Sequence, residues 1–509
     1  MTQNSKAYKS KFEFTISRIK NFMKIFLRSK KGTFGLAILL IFGVISIFAP
    51  LLTPYEPTGP RDLDLAGKLA QPAWMRYTPW GRDLTENVEP IKDPGLTSVN
   101  IFKEFTYETN SSYTHIQHIS SFGYQDPGCM LVTYEKSKGD APNIALVKFY
   151  KKFYYPYDAP PAKFSVSLAV LPKGVEKVPV MIKVFVTKAN GTTFEFGIGY
   201  RWKEKLLSKT SSDWIIPNPQ ISSTAPVDLI VERYGSHIDL AETIFDEAGN
   251  YTFGVEVLFL DTTKDQVRAE VYIDNIWIKL YGTCFGLLGT NYQGRDIFTQ
   301  IVYGARISLM VGLLSAVLSV SIGLIIGLIS GYMGGIVDEI LMRFTDMLLV
   351  LPGLPLLIVL TAALGASIYT LIILLGFLGW MGFARVVRSQ VLSLKERPFV
   401  EAVKAVGGGT GYIIRRHIIP NVMGFVYVSL ALSVPSAIVS EAALSWLGYY
   451  DPYRMSWGRM LNEVQSSGAY LAWWWIIPPG LCIALISIAF IMLGYALDDI
   501  LNPKLRERR

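Results

Sequence analysis

The stretch that decides the reading of this chain is Glu401–Pro420, EAVKAVGGGTGYIIRRHIIP. A short helical start, Glu401–Val406, runs into Gly407, Gly408, Gly409 and Gly411. Glycine stops a helix at little cost because it accepts positive φ. A second apolar and basic run follows and ends at Pro420, which opens a new helix where its missing N–H costs nothing. Lys404, Arg415, Arg416 and His417 make the stretch basic, and strongly apolar segments lie on either side of it. The expectation is a compact helix–turn–helix loop on the positively charged side of a membrane.

Working outward, half of the 509 residues are hydrophobic, and they cluster in long blocks. Phe34–Leu52 carries no charge; at ~1.5 Å per residue it reaches roughly 28 Å, enough for a bilayer core. Its basic flank resembles that of a signal peptide, but it is longer than an h-region and lies too deep in the chain. It is therefore read as a retained helix. Ile307–Met333, Leu341–Leu364, Ile368–Phe383, Val422–Leu444 and Trp473–Leu497 bring the predicted spans to six. Residues 1–33 hold nine Lys/Arg against one acid, Glu13; 385–416 hold seven Lys/Arg, and the tail 504–509 holds four. With six spans these basic segments share one face, which predicts cytoplasmic termini. The net charge of +8 follows the spans, so no nucleic-acid partner is expected.

Between the first two spans, residues 53–306 fall on the outer side by this count and change texture. Val180–Val186, Thr193–Tyr200, Asp228–Glu232, Tyr251–Leu260 and Val267–Tyr281 are rich in β-branched and aromatic residues and read as strands. Ala189–Thr192 supplies a hairpin signal. An antiparallel β-sandwich over about 90–282 is expected. Asn110, Asn190 and Asn250 are sequons in this region, compatible with glycosylation, though chance produces one or two. Cys129 and Cys284 are placed to form a disulfide or to remain two buried thiols. Trp202 and Trp214 are core residues or sugar-stacking ones. Cys482 reads as packing inside the last span.

The pattern Glu401-Ala402, Gly407, Ile419-Pro420 resembles the EAA loop of ABC-importer permeases, with Val403 in place of the second Ala. His417 fills a slot as it does in the dipeptide/oligopeptide (nickel) branch. In order along the chain, APLLTPYEP (Ala49–Pro57), LLGTNYQGRDIFTQIVYGARISL (Leu287–Leu309), MRFTDMLLVLPGLPL (Met342–Leu356), EAALSWLGYYDP (Glu441–Pro452), SWGRML (Ser456–Leu461) and LDDILNPKLR (Leu497–Arg506) are similar to that branch, in its second permease subunit. The resemblance implies an all-α membrane core of the type I importer fold. It also implies coupling through Glu401, Ala402, Gly407, Arg415, Arg416, His417 and Pro420. The partners implied are a second homologous permease, two ATP-binding cassette ATPases, an extracytoplasmic solute-binding protein and membrane lipid. Family members carry peptides, nickel or oligosaccharides. The insert departs from the family, and its ends VYIDNIWIKLYG (Val271–Gly282) and AGNYTFGVEV (Ala248–Val257) look like jelly-roll, carbohydrate-binding-type modules. GRD at 81–83 and again at 294–296 is compatible with a loop split by an insertion.

The domain division expected is thus a cytoplasmic basic N-terminus at 1–33, a first span at 34–52, an extracytoplasmic region at 53–306, a permease core at 307–501 and a cytoplasmic tail at 502–509. No G-x4-G-K-[ST] occurs, so ATP is expected to be used by partner subunits and no cofactor to be held by this chain. The sequence offers no metal-ligand spacing and no catalytic constellation. Asp346 with Arg343 is read as a local ion pair or a relay, and Glu441 as a carboxylate that snorkels, satisfies a backbone group or touches substrate. Two rival readings are an ion-coupled secondary transporter and a membrane-anchored carbohydrate-binding receptor. The first would need paired repeats or intramembrane acids; the second would need one helix rather than six.

Overall fold

The computed structural model describes residues 24–98, 101–234 and 238–501. The basic residues before position 24 and the tail 502–509 lie outside the described residues. The chain divides into two compact units: residues 1–62 with 297–509, and residues 63–296.

The first unit is helical. Its elements are α1 (Lys30–Ile47), α2 (Ile297–Met333), α3 (Gly335–Val350), α4 (Gly353–Leu364), α5 (Ile368–Gly379), α6 (Met381–Lys395), α7 (Pro398–Ala405), α8 (Ile419–Trp446), α9 (Trp457–Ser467) and α10 (Trp473–Leu501). Five helical stretches among the described residues are long and apolar enough to cross a membrane; the pair α3 and α4, bent by 87°, makes a sixth if it counts as one span. The third expected span is thus broken rather than straight. The break falls at Leu351 and Pro352, where Pro352 caps α4 and restricts the residue before it to extended backbone. The fourth expected span runs on past Phe383, because α5 and α6 together carry apolar helix to Lys395. Pro435 lies inside an unbroken α8.

Backbone contact holds this unit together. Gly323, Gly327 and Gly331 stand four residues apart on α2 and turn one face to α6. A Cβ on them would lie 2.8 Å from the Trp380 carbonyl oxygen, 2.6 Å from Val387 Cβ and 2.8 Å from Val391 Cβ, respectively. Lipid offers no hydrophobic drive between helices, so small residues that allow close packing supply the contact. Val320, Leu328, Phe383, Val387 and Val391 close around it.

The second unit is built from antiparallel strands. β1 (Thr106–Thr109), β4 (Ile144–Tyr155), β6 (Val180–Thr187), β7 (Thr193–Gly197), β8 (Leu206–Leu207) and β10 (Gly249–Leu260) form one sheet in the order β1-β4-β10-β6-β7, with β8 on β6. β2 (Thr114–Ile119), β3 (Cys129–Lys136), β5 (Lys163–Lys173), β9 (Ile221–Ser222) and β11 (Val267–Tyr281) form the other, in the order β2-β3-β11-β5-β9. Alternate residues point inward; Val255, Val257 and Phe259 of β10 join Val271, Ile273 and Ile278 of β11 in one cluster. Asp228–Glu232 is helix, within Val227–Tyr234, not strand. Its buried pair Leu229 and Ile230 flanked by exposed Val227 and Val231 fits one helical face, and Asp228 suits a first turn. Trp202 is fully buried core, and its indole N–H donates to the Pro219 carbonyl at 3.0 Å. Trp214 is half-buried, stacked on Phe122.

Cys129 and Cys284 are free and do not pair. Cys129 sits in the interior of β3, while the Cys284 thiol donates to the Thr85 carbonyl at 3.3 Å. Burial pushes each thiol up to about 11, which leaves little thiolate for oxidation at neutral pH. Asn110, Asn190 and Asn250 are all exposed. Asn110 also accepts from the Leu146 N–H at 2.7 Å, tying it to β4.

A buried ion pair closes one end of the second unit. Lys136, at the end of β3, meets Asp261, just past β10, and neither side chain is solvent-exposed. Lys136 Nζ also donates to the Thr263 carbonyl at 2.6 Å. Asp261 accepts from the Tyr134 hydroxyl at 2.9 Å and from the Thr263 N–H at 2.8 Å. Burial pushes the carboxyl up, but the hydrogen bonds from Lys136, Thr263 and Tyr134 outweigh it and hold Asp261 below the usual carboxylate range. Its contribution is therefore fully present above about pH 4 and is lost as pH falls through the folded-state value. Produced alone, residues 63–296 are expected to fold, and Lys136→Met to cost about 3–5 kcal/mol by leaving a buried carboxylate unpaired. Urea unfolding at pH 7 and pH 3 checks this: the loss should be large at pH 7 and smaller at pH 3. Equal losses at both would contradict the assignment.

Candidate transport path and coupling loop

α6 passes through Glu396 and Arg397 into α7, with Pro398 at its first turn and Glu401 exposed at a helix N-terminus that favours acids. Val406 caps α7, and Gly407 follows with φ +85°, a conformation open to glycine. A single turn, Thr410–Ile413, continues into a widened π-type turn at Ile414–Ile418 and then into α8, with Pro420 in its first turn. Val400, Ile413 and Ile418 are buried and anchor the loop on α2, α6 and α8 through Tyr332, Val391 and Val422. Ala402, Arg415 and Arg416 point outward. So do two apolar residues: Val406 is 85% exposed and Tyr412 59%. His417 is half-buried near the rings of Phe399 and Tyr412, its Nε2 without a hydrogen-bond partner among the described residues.

α6 is also tied to α3. Arg388 donates to Asp338 through Nε and Nη2, both at 2.6 Å, and the Ser330 hydroxyl donates to the same carboxylate. Asp346 pairs with Arg385 of α6, not with Arg343, which lies 3.9 Å from Glu339. The expected local pair is instead a bridge between helices, because Asp346 faces α6 across the α3 contact. α6 is thus bonded to the broken span by charge and to α2 by glycine contact.

A cavity of about 260 Å³ lies among α2, α4, α5 and α8. Ser315 and Ser319 of α2 and Ser433, Ser436 and Ser440 of α8 line it, with Gly353, Gly379 and leucines. The lining holds no ionisable side chain. Hydroxyls at helical spacing make a weakly polar wall that can exchange hydrogen bonds with a passing solute without fixing its charge. Sequence reasoning, looking for charges, missed these residues; their signal was the spacing 433, 436, 440 within an apolar run.

Glu441 is fully enclosed and reaches neither solvent nor backbone. Its Oε1 accepts from the Ser445 hydroxyl at 2.8 Å and the Ser456 hydroxyl at 2.7 Å. Ser456 caps α9, so Glu441 pins the loop before α9 to α8. At the start of α10, Trp474 and Trp475 are buried, while Trp473 and the preceding Tyr470 are exposed.

Apolar spans, a weakly polar internal cavity and an exposed basic loop define a membrane permease subunit. Residues 323–507 match the binding-protein-dependent transport system inner membrane component family, and 17–72 match the N-terminal TM domain of oligopeptide transport permease C. The chain belongs to this family of ABC-importer permeases. It is 43% identical over 220 residues to the dipeptide transport system permease protein DppC of Bacillus subtilis, covering 43% of this chain and 68% of that one. It is 42% identical over 221 residues to the oligopeptide transport system permease protein OppC of the same organism, covering 43% and 72%. Of solved structures, the chain is 13% identical to a carbohydrate-binding module, TmCBM61 in complex with β-1,4-galactotriose, over 38% of this chain and 97% of that one, with a TM-score of 0.22. The two matched stretches flank residues 73–322, in which all the named strands of the second unit lie.

Ser436→Trp is expected to fill the cavity and stop solute passage while the protein still inserts and purifies; Ser436→Ala should change uptake little. Uptake into vesicles holding the assembled complex measures both. Normal uptake by the Ser436→Trp variant would remove this cavity from the path.

Proposed function

We propose that the chain is the second permease subunit of a peptide importer, taking energy from separate ATPases through residues 398–420. The carrying observation is the loop itself: its anchors Val400, Ile413 and Ile418 are buried, while Val406 and Tyr412 stay exposed at its tip. Apolar residues held in water at a rigid turn suit a partner's groove. The peptide class is supported by the named substrates of the DppC and OppC relatives. Oligosaccharide and nickel transport remain the other substrates of the family resemblance.

In this reading the termini are cytoplasmic, and the β-sandwich, jelly-roll-like in its two-sheet arrangement, is extracytoplasmic. A second permease completes the path, a solute-binding protein delivers cargo, and ATP is used by the ATPases alone. ATP-driven closure of the ATPases moves α7. α6 continues from it and carries the motion to α2 through the glycine stripe and to α3 through Asp338–Arg388 and Asp346–Arg385. The serine-lined cavity then opens to alternate sides. An ion-coupled secondary mechanism would need an acid in that cavity, and its lining contains none.

Glu401→Lys and Gly407→Trp are each expected to leave the subunit in the membrane and to lower peptide uptake by at least tenfold, with loss of cargo-stimulated ATP hydrolysis. Both are measured in proteoliposomes with all subunits. Uptake and hydrolysis at the wild-type level in both variants would contradict coupling through this loop, and saturable micromolar ATP binding by the isolated subunit would contradict the division of labour.

A further inference from the structure

A second cavity, about 640 Å³, opens among the end of α1, the segment after it, the first turns of α2 and the loop before α9. Two arginines line it, Arg306 of α2 and Arg454 of that loop. Both are exposed, and neither has an ion-pair or hydrogen-bond partner for its guanidinium among the described residues. The one carboxylate in the lining, Glu56, folds back over Gly59 and pairs with neither. The pocket therefore carries a net positive charge with two planar donor groups free.

The loop bearing Arg454 is held in place. Arg459 Nη1 donates to the carbonyls of Pro452 at 2.8 Å and Arg454 at 3.1 Å, and Asp451 accepts from the Tyr453 N–H at 2.9 Å. Ser456 then caps α9 and bonds Glu441. Arg306 rises from a continuous helix. Both donors are thus set on fixed backbone, which reduces the ordering cost of binding.

Two further observations choose the ligand. From Arg306 to Ser315 is nine residues, about two and a half helical turns, so the pocket's stripe (Tyr303, Arg306, Ile307, Met310) faces away from the cavity stripe of Ser315 and Ser319. A solute in the transport path does not reach it. From Arg306 to Met333 the helix rises roughly 40 Å, the thickness of a bilayer with its headgroups. Arg306 then stands at headgroup depth, with Ile307 and Met310 below it and the apolar Ile47, 71% exposed, at the pocket's side. Charge above and apolar wall below match a phosphate group with acyl chains beneath it.

We propose that this pocket seats the phosphate of an anionic phospholipid, with Arg306 and Arg454 as its donors. The inference rests on the permease reading, since it requires this unit to lie in a bilayer. Guanidinium pairs with phosphate through two parallel N–H donors, which lysine cannot reproduce. The lipid wedges between α1 and the loop that Glu441 and Ser456 hold, and so fixes α1 against the permease core at that end.

The test is native mass spectrometry of the whole complex released from nanodiscs of mixed phosphatidylglycerol and phosphatidylcholine. The wild type is expected to retain phosphatidylglycerol in preference to phosphatidylcholine. Arg306→Gln with Arg454→Gln should lower that preference by roughly tenfold to thirtyfold, the worth of two interfacial charges. Arg306→Lys with Arg454→Lys should restore a part of it. Undiminished phosphatidylglycerol retention in the glutamine pair overturns the proposal, as does equal retention of phosphatidylcholine by the wild type. Displacement of the lipid by cargo peptide, with weaker peptide binding in the glutamine pair, overturns it in favour of a peptide site. Co-purification of the ATPases is read in the same spectra: their loss from the wild type speaks against the permease reading, whereas altered lipid with intact assembly speaks only to this pocket.

Discussion

Direct contact between α2 and α6 is the constraint on which the membrane unit depends. At Gly323, Gly327 and Gly331 the two helices lie closer than any side chain would allow. In a bilayer, where apolar surface gains nothing by being covered, such contact is a principal means of holding helices in register. Its consequence reaches beyond stability. α6 runs into the loop at 398–420, and α2 carries one wall of the serine-lined cavity. A displacement at the loop therefore meets the cavity wall through backbone, which deforms little. The charge bridges from α6 to Asp338 and Asp346 extend the same rigid body to the broken span.

Long-range order was legible in the chain wherever one local rule dominated. Length and apolarity identified the spans, and Gly407 with Pro420 identified the turn, because φ +85° and a helix start are demands of single residues. The strands at 180–187, 251–260 and 267–281 showed through β-branched alternation. What stayed hidden depended on partners distant in sequence. Asp346 looked paired with Arg343 because three residues separate them, yet Arg385 competes from another helix and wins. Glu441 could be read as snorkelling, as satisfying a backbone group or as touching substrate, but Ser456 arrives from the next element to bind it. Asp228–Glu232 looked extended from composition, while burial of Leu229 and Ile230 beside exposed Val231 obeys the helical period. The glycine stripe and the serine stripe were present in the letters and needed only a reading at four-residue and seven-residue spacing.

The strand-built unit stands as a separate problem in the same chain. Its core is continuous across both sheets, and its buried Lys136–Asp261 pair is hydrogen-bonded to Thr263 and Tyr134, so it bears the marks of a domain that specifies itself. Its free thiols are enclosed and weakly acidic. Two stretches of family likeness bracket its strands, which fits an insertion into a loop of an existing permease.

Residues 398–420 are proposed as the site where this subunit meets an ATPase. Val406 is the most exposed residue of the loop's apolar tip, whereas the native Cys129 and Cys284 are buried and Cys482 is half-buried. Substituting Val406→Cys and adding a short thiol-to-amine cross-linker to the assembled complex tests this. The expected product joins this chain to the ATPase, with a yield that changes when ATP is added, and no such product is expected from Tyr453→Cys, an equally exposed position in the loop before α9. A product of the Val406→Cys variant with the solute-binding protein, or an ATPase product from the Tyr453→Cys variant, would contradict it.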